Sequence, residues 1–129
     1  MNAYDVTFQL VDSAVTESAP GGTIAADKLI EAFQRFPFVE EVARGQSMKD
    51  GATFPTITFK RRSDGEEVAI WTDDAKRFDL CFVRDRKKKF LNSRSKEEVE
   101  EILNRFRTES VLTIAPRSLW SSLFGWRKA

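Results

Sequence analysis

Histidine is absent from this chain of 129 residues, and cysteine occurs once, as Cys81. The first absence removes the side chain that most often serves as a general base near neutral pH and most often binds a metal. Ser-His and Cys-His nucleophile pairs are therefore excluded, together with any His-containing zinc site. A single cysteine excludes an intramolecular disulfide. Cys81 stands between Leu80 and Phe82 with no neighbouring base or cation, which reads as a buried thiol rather than a nucleophile. No glycine-rich phosphate loop is present, and the pair Gly21-Gly22 carries no motif by itself.

A surplus of one charge is lacking too. The 21 Lys and Arg stand against 20 Asp and Glu, a net charge of +1. Dedicated nucleic-acid binders are usually far more basic, so such an activity would have to come from local asymmetry. No run approaches the ~18 apolar residues that read as a membrane span. The opening MNAYDVTFQL has neither the basic start nor the apolar stretch of a secretory signal. With one cysteine and no signal, the expected setting is reducing and cytoplasmic.

What is present is apolar bulk. Hydrophobic residues make up 41% of the chain, with eleven Phe and three Trp. That is too much for a disordered segment and suits one globular core. In YDVTFQLV, Tyr4, Val6, Phe8 and Leu10 alternate with polar residues, the pattern of a half-buried strand. DSAVTESAPGGT reads as loop, ending at the Pro20-Gly21-Gly22 breaker. Thr23 is placed to cap a helix whose stripe is Ala26, Leu29, Ile30 and Phe33, and Pro37 disfavours helix at Phe36. Phe38 to Val42 fits a short strand or an irregular turn. Thr56 to Lys60, Val68 to Trp71 and Phe78 to Val83 then alternate between short turns, which makes an antiparallel meander. Ser95 opens a second helix through Ser-x-x-Glu, with Val99, Ile102, Leu103 and Phe106 as its stripe. VLTIA reads as a last strand, stopped by Pro116.

The expected fold is α+β and two-layered: a mostly antiparallel sheet with two amphipathic helices on one face. The sheet comprises the meander at about 56–84, the N-terminal strand and a strand near 111–115. A ferredoxin-like plan with an extra hairpin is one way to wire these elements. Residues 1–116 form one domain, and 117–129 a short amphipathic tail helix.

The stretch RDRKKK places five cations among six residues. Strands one and three of a meander end on the same rim, so Lys60, Arg61 and Arg62 are expected to converge there with Arg84, Arg86, Lys87, Lys88 and Lys89. Such a rim attracts phosphates by counterion release, and Phe90 supplies a stacking face. Against this, Asp64, Glu66, Glu67 and Asp85 share the rim, and lysines at strand ends also block edge pairing. On the second sheet face, Phe54, Thr56, Thr58, Trp71, Cys81 and Val83 line up as a docking surface or as a surface covered by a loop or the tail. In the tail, Leu119, Trp120, Leu123, Phe124 and Trp126 flanked by Arg117, Arg127 and Lys128 fit packing, self-association, a partner groove or a membrane surface. Asp73-Asp74 with Lys76 has the groups of a metal-phosphate site, but adjacent Asp residues are ordinary turn chemistry.

The composition favours recognition over catalysis: a non-enzymatic protein-binding domain of the inhibitor, immunity or adaptor kind. It needs no cofactor and no metal, and its expected partner is another protein. The alternative is nucleic-acid or other polyanion binding through the rim, and membrane binding is the least favoured.

Overall fold

The computed structural model describes residues 2–12, 19–48 and 53–115. The chain runs β1 (Ala3–Gln9), β2 (Ala19–Ala25), a 3₁₀ turn (Ala26–Lys28), α1 (Leu29–Arg35), α2 (Phe38–Gln46), β3 (Thr56–Arg61), β4 (Glu67–Trp71), β5 (Phe78–Arg84), β6 (Lys87–Arg94), α3 (Lys96–Phe106) and α4 (Val111–Ile114). The strands form one sheet in the order β2-β1-β3-β4-β5-β6, with every pairing antiparallel. This is the α+β, two-layer architecture the sequence predicts. The wiring is not ferredoxin-like, because β1 lies antiparallel beside β3 and no parallel crossover exists among the described residues.

Alternation explains the sheet. Val6, Ile57, Phe59, Val68, Ile70, Phe78, Leu80 and Phe82 all point to one side, where they meet Leu29 and Phe33 of α1, Phe38 of α2 and Val99, Leu103 and Phe106 of α3. Phe33, Phe36, Phe38 and Phe78 interlock edge-on or tilted at centroid distances of 4.6 to 5.6 Å. The helix signals read from sequence are the ones used. Phe36, ahead of Pro37, takes extended dihedrals and ends α1. Ser95 Oγ accepts the Glu98 N–H while the Glu98 carboxylate accepts the Ser95 N–H, a complete capping box.

Four segments differ from expectation. Pro20-Gly21-Gly22 lies inside β2 and not in a loop. Gly21 is the extra residue of a bulge opposite Val6 and Thr7, and a Cβ there would stand 2.5 Å from the Phe8 ring. Only glycine lets Phe8 lie against the strand at that point. Thr23 therefore sits in β2, bonded to Asp5 at 2.9 Å, and caps no helix. Phe38–Gln46 is helix, neither strand nor turn, with Glu40 and Glu41 in its first turn, where the helix dipole favours carboxylates.

The other two changes lie towards the C-terminus. RDRKKK is a hairpin and not only the rim at the end of a strand: Asp85 and Arg86 form a two-residue turn, and the lysines begin β6, which pairs with β5. The strand near 111–115 is the helix α4. Ser110 Oγ caps it at Leu112 N–H, and the Glu66 carboxylate receives both Ser110 Oγ and Val111 N–H at 2.9 Å. The expected tail helix at 117–129 lies outside the described residues.

Candidate functional site

The helices pack their buried side chains into the core on one side of the sheet. On the other side the pairing registers set out a grid. Glu67, Ala69 and Trp71 of β4 lie beside Lys60, Thr58 and Thr56 of β3. On their other flank stand Val83, Cys81 and Asp79 of β5, followed by Lys88 and Phe90 of β6. Small residues occupy the middle of this face and aromatics one corner. Trp71 is half-buried and meets Phe90 edge-to-face at 6.1 Å, while Phe90 remains 53% exposed. Phe54, likewise exposed, lies beyond the start of β3 on the rim of a separate groove with Val42, Gln46, Thr72 and Asp73. Trp71 and Phe90 are thus brought together, while Phe54 lies past the Thr56 end of β3, in the groove beside Thr72 and Asp73. Phe90 was legible only as a stacking residue near the basic run. Recognising Lys88-Phe90 as alternation along a strand would have placed it on this face.

The basic rim divides on inspection. Arg61 is 4% exposed and lies inside the protein. Its guanidinium sits 4.3 Å from the Phe106 ring centre and 3.2 Å from Glu66. Arg62 pairs with Asp5 at 2.9 Å, Arg84 with Glu66 at 3.1 Å, and Lys60 approaches Glu67 at 4.0 Å. Arg86, Lys87 and Lys88 are exposed at the β5–β6 turn and make no ion pair among the described residues. Lys89 follows them on β6, half-buried opposite Phe82. The positive surface therefore reduces to one hairpin end, which adjoins Phe90 through Lys88 and lies at the opposite end of the strands from Trp71.

The remaining chemical candidates have structural partners. Asp74 accepts the backbone N–H groups of Lys76 and Arg77 at 2.8 and 2.9 Å and holds the turn between β4 and β5. Those N–H groups, Arg77 first, keep its carboxyl below the usual range. Among the described residues no group of three His, Cys, Asp or Glu stands together as a metal cluster. Burial raises the Cys81 thiol, outweighing the nearby Lys88, so the thiolate that reacts is scarce. Among the described residues no helix is long and apolar enough to cross a membrane. Leu119, Trp120, Leu123, Phe124 and Trp126 lie outside the described residues.

Comparison with protein-family models, with curated proteins and with solved structures returns no match for this chain.

Proposed function

We propose that this protein is a non-enzymatic binding module of the inhibitor, immunity or adaptor kind. Its sheet face around Trp71 and Phe90, with the Arg86–Lys89 hairpin end beside it, covers an apolar surface with an acidic border on a partner protein. The observation that carries this reading is Phe90. It is a large aromatic held 53% exposed against Trp71, on the sheet face opposite the helices. Aromatic anchors of this kind dominate interface energies, with adjacent charges setting orientation and encounter rate. The lone cysteine and the histidine-free composition support a cytoplasmic setting and a role without chemistry.

The test is affinity capture from lysate of the source organism with the tagged wild-type protein and with Phe90→Asp, each with and without nuclease. A stoichiometric protein should elute from the wild type, survive nuclease and be lost or weakened at least ~30-fold by Phe90→Asp, as for an interface anchor worth ~2 kcal/mol. A companion retained equally by both proteins, or none, would remove the Trp71–Phe90 face from consideration. The second reading rests on Arg86, Lys87 and Lys88, which face solvent without a described counter-charge. If the hairpin binds nucleic acid, the eluate contains it, binding falls steeply with salt, and replacing Lys87, Lys88 and Lys89 by Ala abolishes it.

A further inference from the structure

The two edges of the sheet are built differently. On one edge β6 carries Lys87, Lys88, Lys89 and Arg94, with a register break opposite Phe78 and Leu80 and a positive φ of 58° at Ser93. These are the devices that blunt an edge against further pairing. On the other edge β2 reads APGGTIA and carries no charge. Its first half is interrupted by Pro20, which has no N–H, and by the Gly21 bulge. Beyond the bulge Thr23, Ile24 and Ala25 are regular, neutral and bordered by no other described strand. An edge of that kind is a template for another strand.

On the helical side of this edge, β2 and α1 diverge around an open pocket of about 530 Å³. Phe8, Leu10, Ile24, Ala32 and Phe36 give it apolar walls. Along the pocket the 3₁₀ turn carries Lys28 and α1 carries Glu31 and Arg35, with Glu31 3.4 Å from Lys28 and 2.9 Å from Arg35. The charge order along the helix is therefore plus, minus, plus. Turned end for end by a two-fold axis and staggered by one turn, this row opposes Glu31 of one copy to a cation of the other.

We propose that a second copy of this chain adds to β2. The Thr23–Ala25 segments pair antiparallel about a two-fold axis, the α1 rows interlock, and the two pockets close on each other. A two-fold interface uses the same patch twice and must be self-complementary. A neutral strand edge and an alternating charge row both meet that condition. A small apolar ligand would account for the pocket but not for a strand edge that no other described strand borders. The surface is separate from the Trp71–Phe90 corner, which lies towards the β6 edge, so the dimer presents two copies of that corner. The two assignments stand or fall independently.

Sedimentation velocity on the full chain at micromolar concentration tests the proposal. Three variants accompany the wild type: Thr23→Lys, Glu31→Lys, which makes the row wholly positive, and Lys28→Glu with Arg35→Glu, which makes it wholly negative. The Lys28, Glu31 and Arg35 side chains are 41% to 79% exposed, so folding should survive, with circular dichroism as the check. The wild type should sediment as a dimer and all three variants as monomers. An equimolar mixture of the two charge variants should recover the dimer. A monomeric wild type, a dimer untouched by Thr23→Lys, or a mixture that stays monomeric would each overturn the assignment.

Discussion

At position 61 the chain puts an arginine where alternation after Ile57 and Phe59 calls for an apolar side chain. The guanidinium covers the Phe106 ring, binds Asp64 and Glu66 at 3.0 and 3.2 Å, and donates to the carbonyls of Phe106 and Glu109 at 2.6 Å. The end of a helix leaves carbonyls without partners, and Arg61 supplies the missing donors at the end of α3. Glu66 in turn binds the first N–H of α4. One buried pair thus ties the β3–β4 turn to both C-terminal helices. Arg61→Ala leaves Glu66 buried with Arg84 as its remaining cation, and removing one partner of a buried pair costs about 3–5 kcal/mol. The Arg62–Asp5 pair is solvent-exposed and should contribute little. Urea unfolding of Arg61→Ala and Arg62→Ala should separate them by that margin, and equal midpoints would refute the tie. In sequence, Lys60-Arg61-Arg62 looks like one basic cluster. The parity of Arg61 with Phe59 was the available signal that it turns inward.

Among the elements, those that carry their own signal were legible. β3 and β4 alternate strictly and β1 and β5 keep the same period in their core-facing residues, α1 has its stripe and its Pro37 stop, and α3 has its capping box. The misread elements are fixed by something distant. The short apolar run VLTIA has no period that separates strand from helix, and a glutamate 45 residues earlier caps it as α4. β2 is a strand because β1 pairs with it across a bulge, despite Pro20 and two glycines. The β5–β6 hairpin hides because Asp85 and Arg86 take φ of 50° and 67° without the glycine such a two-residue turn prefers. The proposed binding face was therefore readable through β4 and β5, while its Phe90 corner depended on the hidden strand. Arg86→Gly should relieve a left-handed penalty of roughly 1–2 kcal/mol, offset by the ~0.5–1 kcal/mol entropy cost of glycine. The expected gain is about 0.5–1 kcal/mol, seen as a Tm higher by a few degrees. A lower Tm would mean that Arg86 makes a stabilising contact outweighing its backbone strain.

For the whole molecule, the lack of histidine sets the response to pH. Arg44 hydrogen bonds hold Glu41 below the usual carboxylate range against its burial, with the Val11 N–H assisting. Asp74, Glu98 and Glu109 are lowered by N–H groups of Arg77 and Lys76, by Ser95 and by Arg105 respectively. In each case the unfolded chain binds protons more tightly than the folded one. Their stabilisation is therefore complete above the ordinary carboxylate pKa of ~4 and is lost as the pH falls through the lower folded values. Cys81 has the opposite displacement. Its folded pKa is raised, so its contribution is complete below the ordinary thiol pKa of ~8.5 and is lost as the pH rises beyond it. Between these limits no side chain has an ordinary pKa to titrate, because the residue that usually does so is missing. Thermal melts should give a Tm that is level from about pH 6 to 8 and falls progressively from about pH 5 towards 2. A step centred between pH 6 and 7 would refute this.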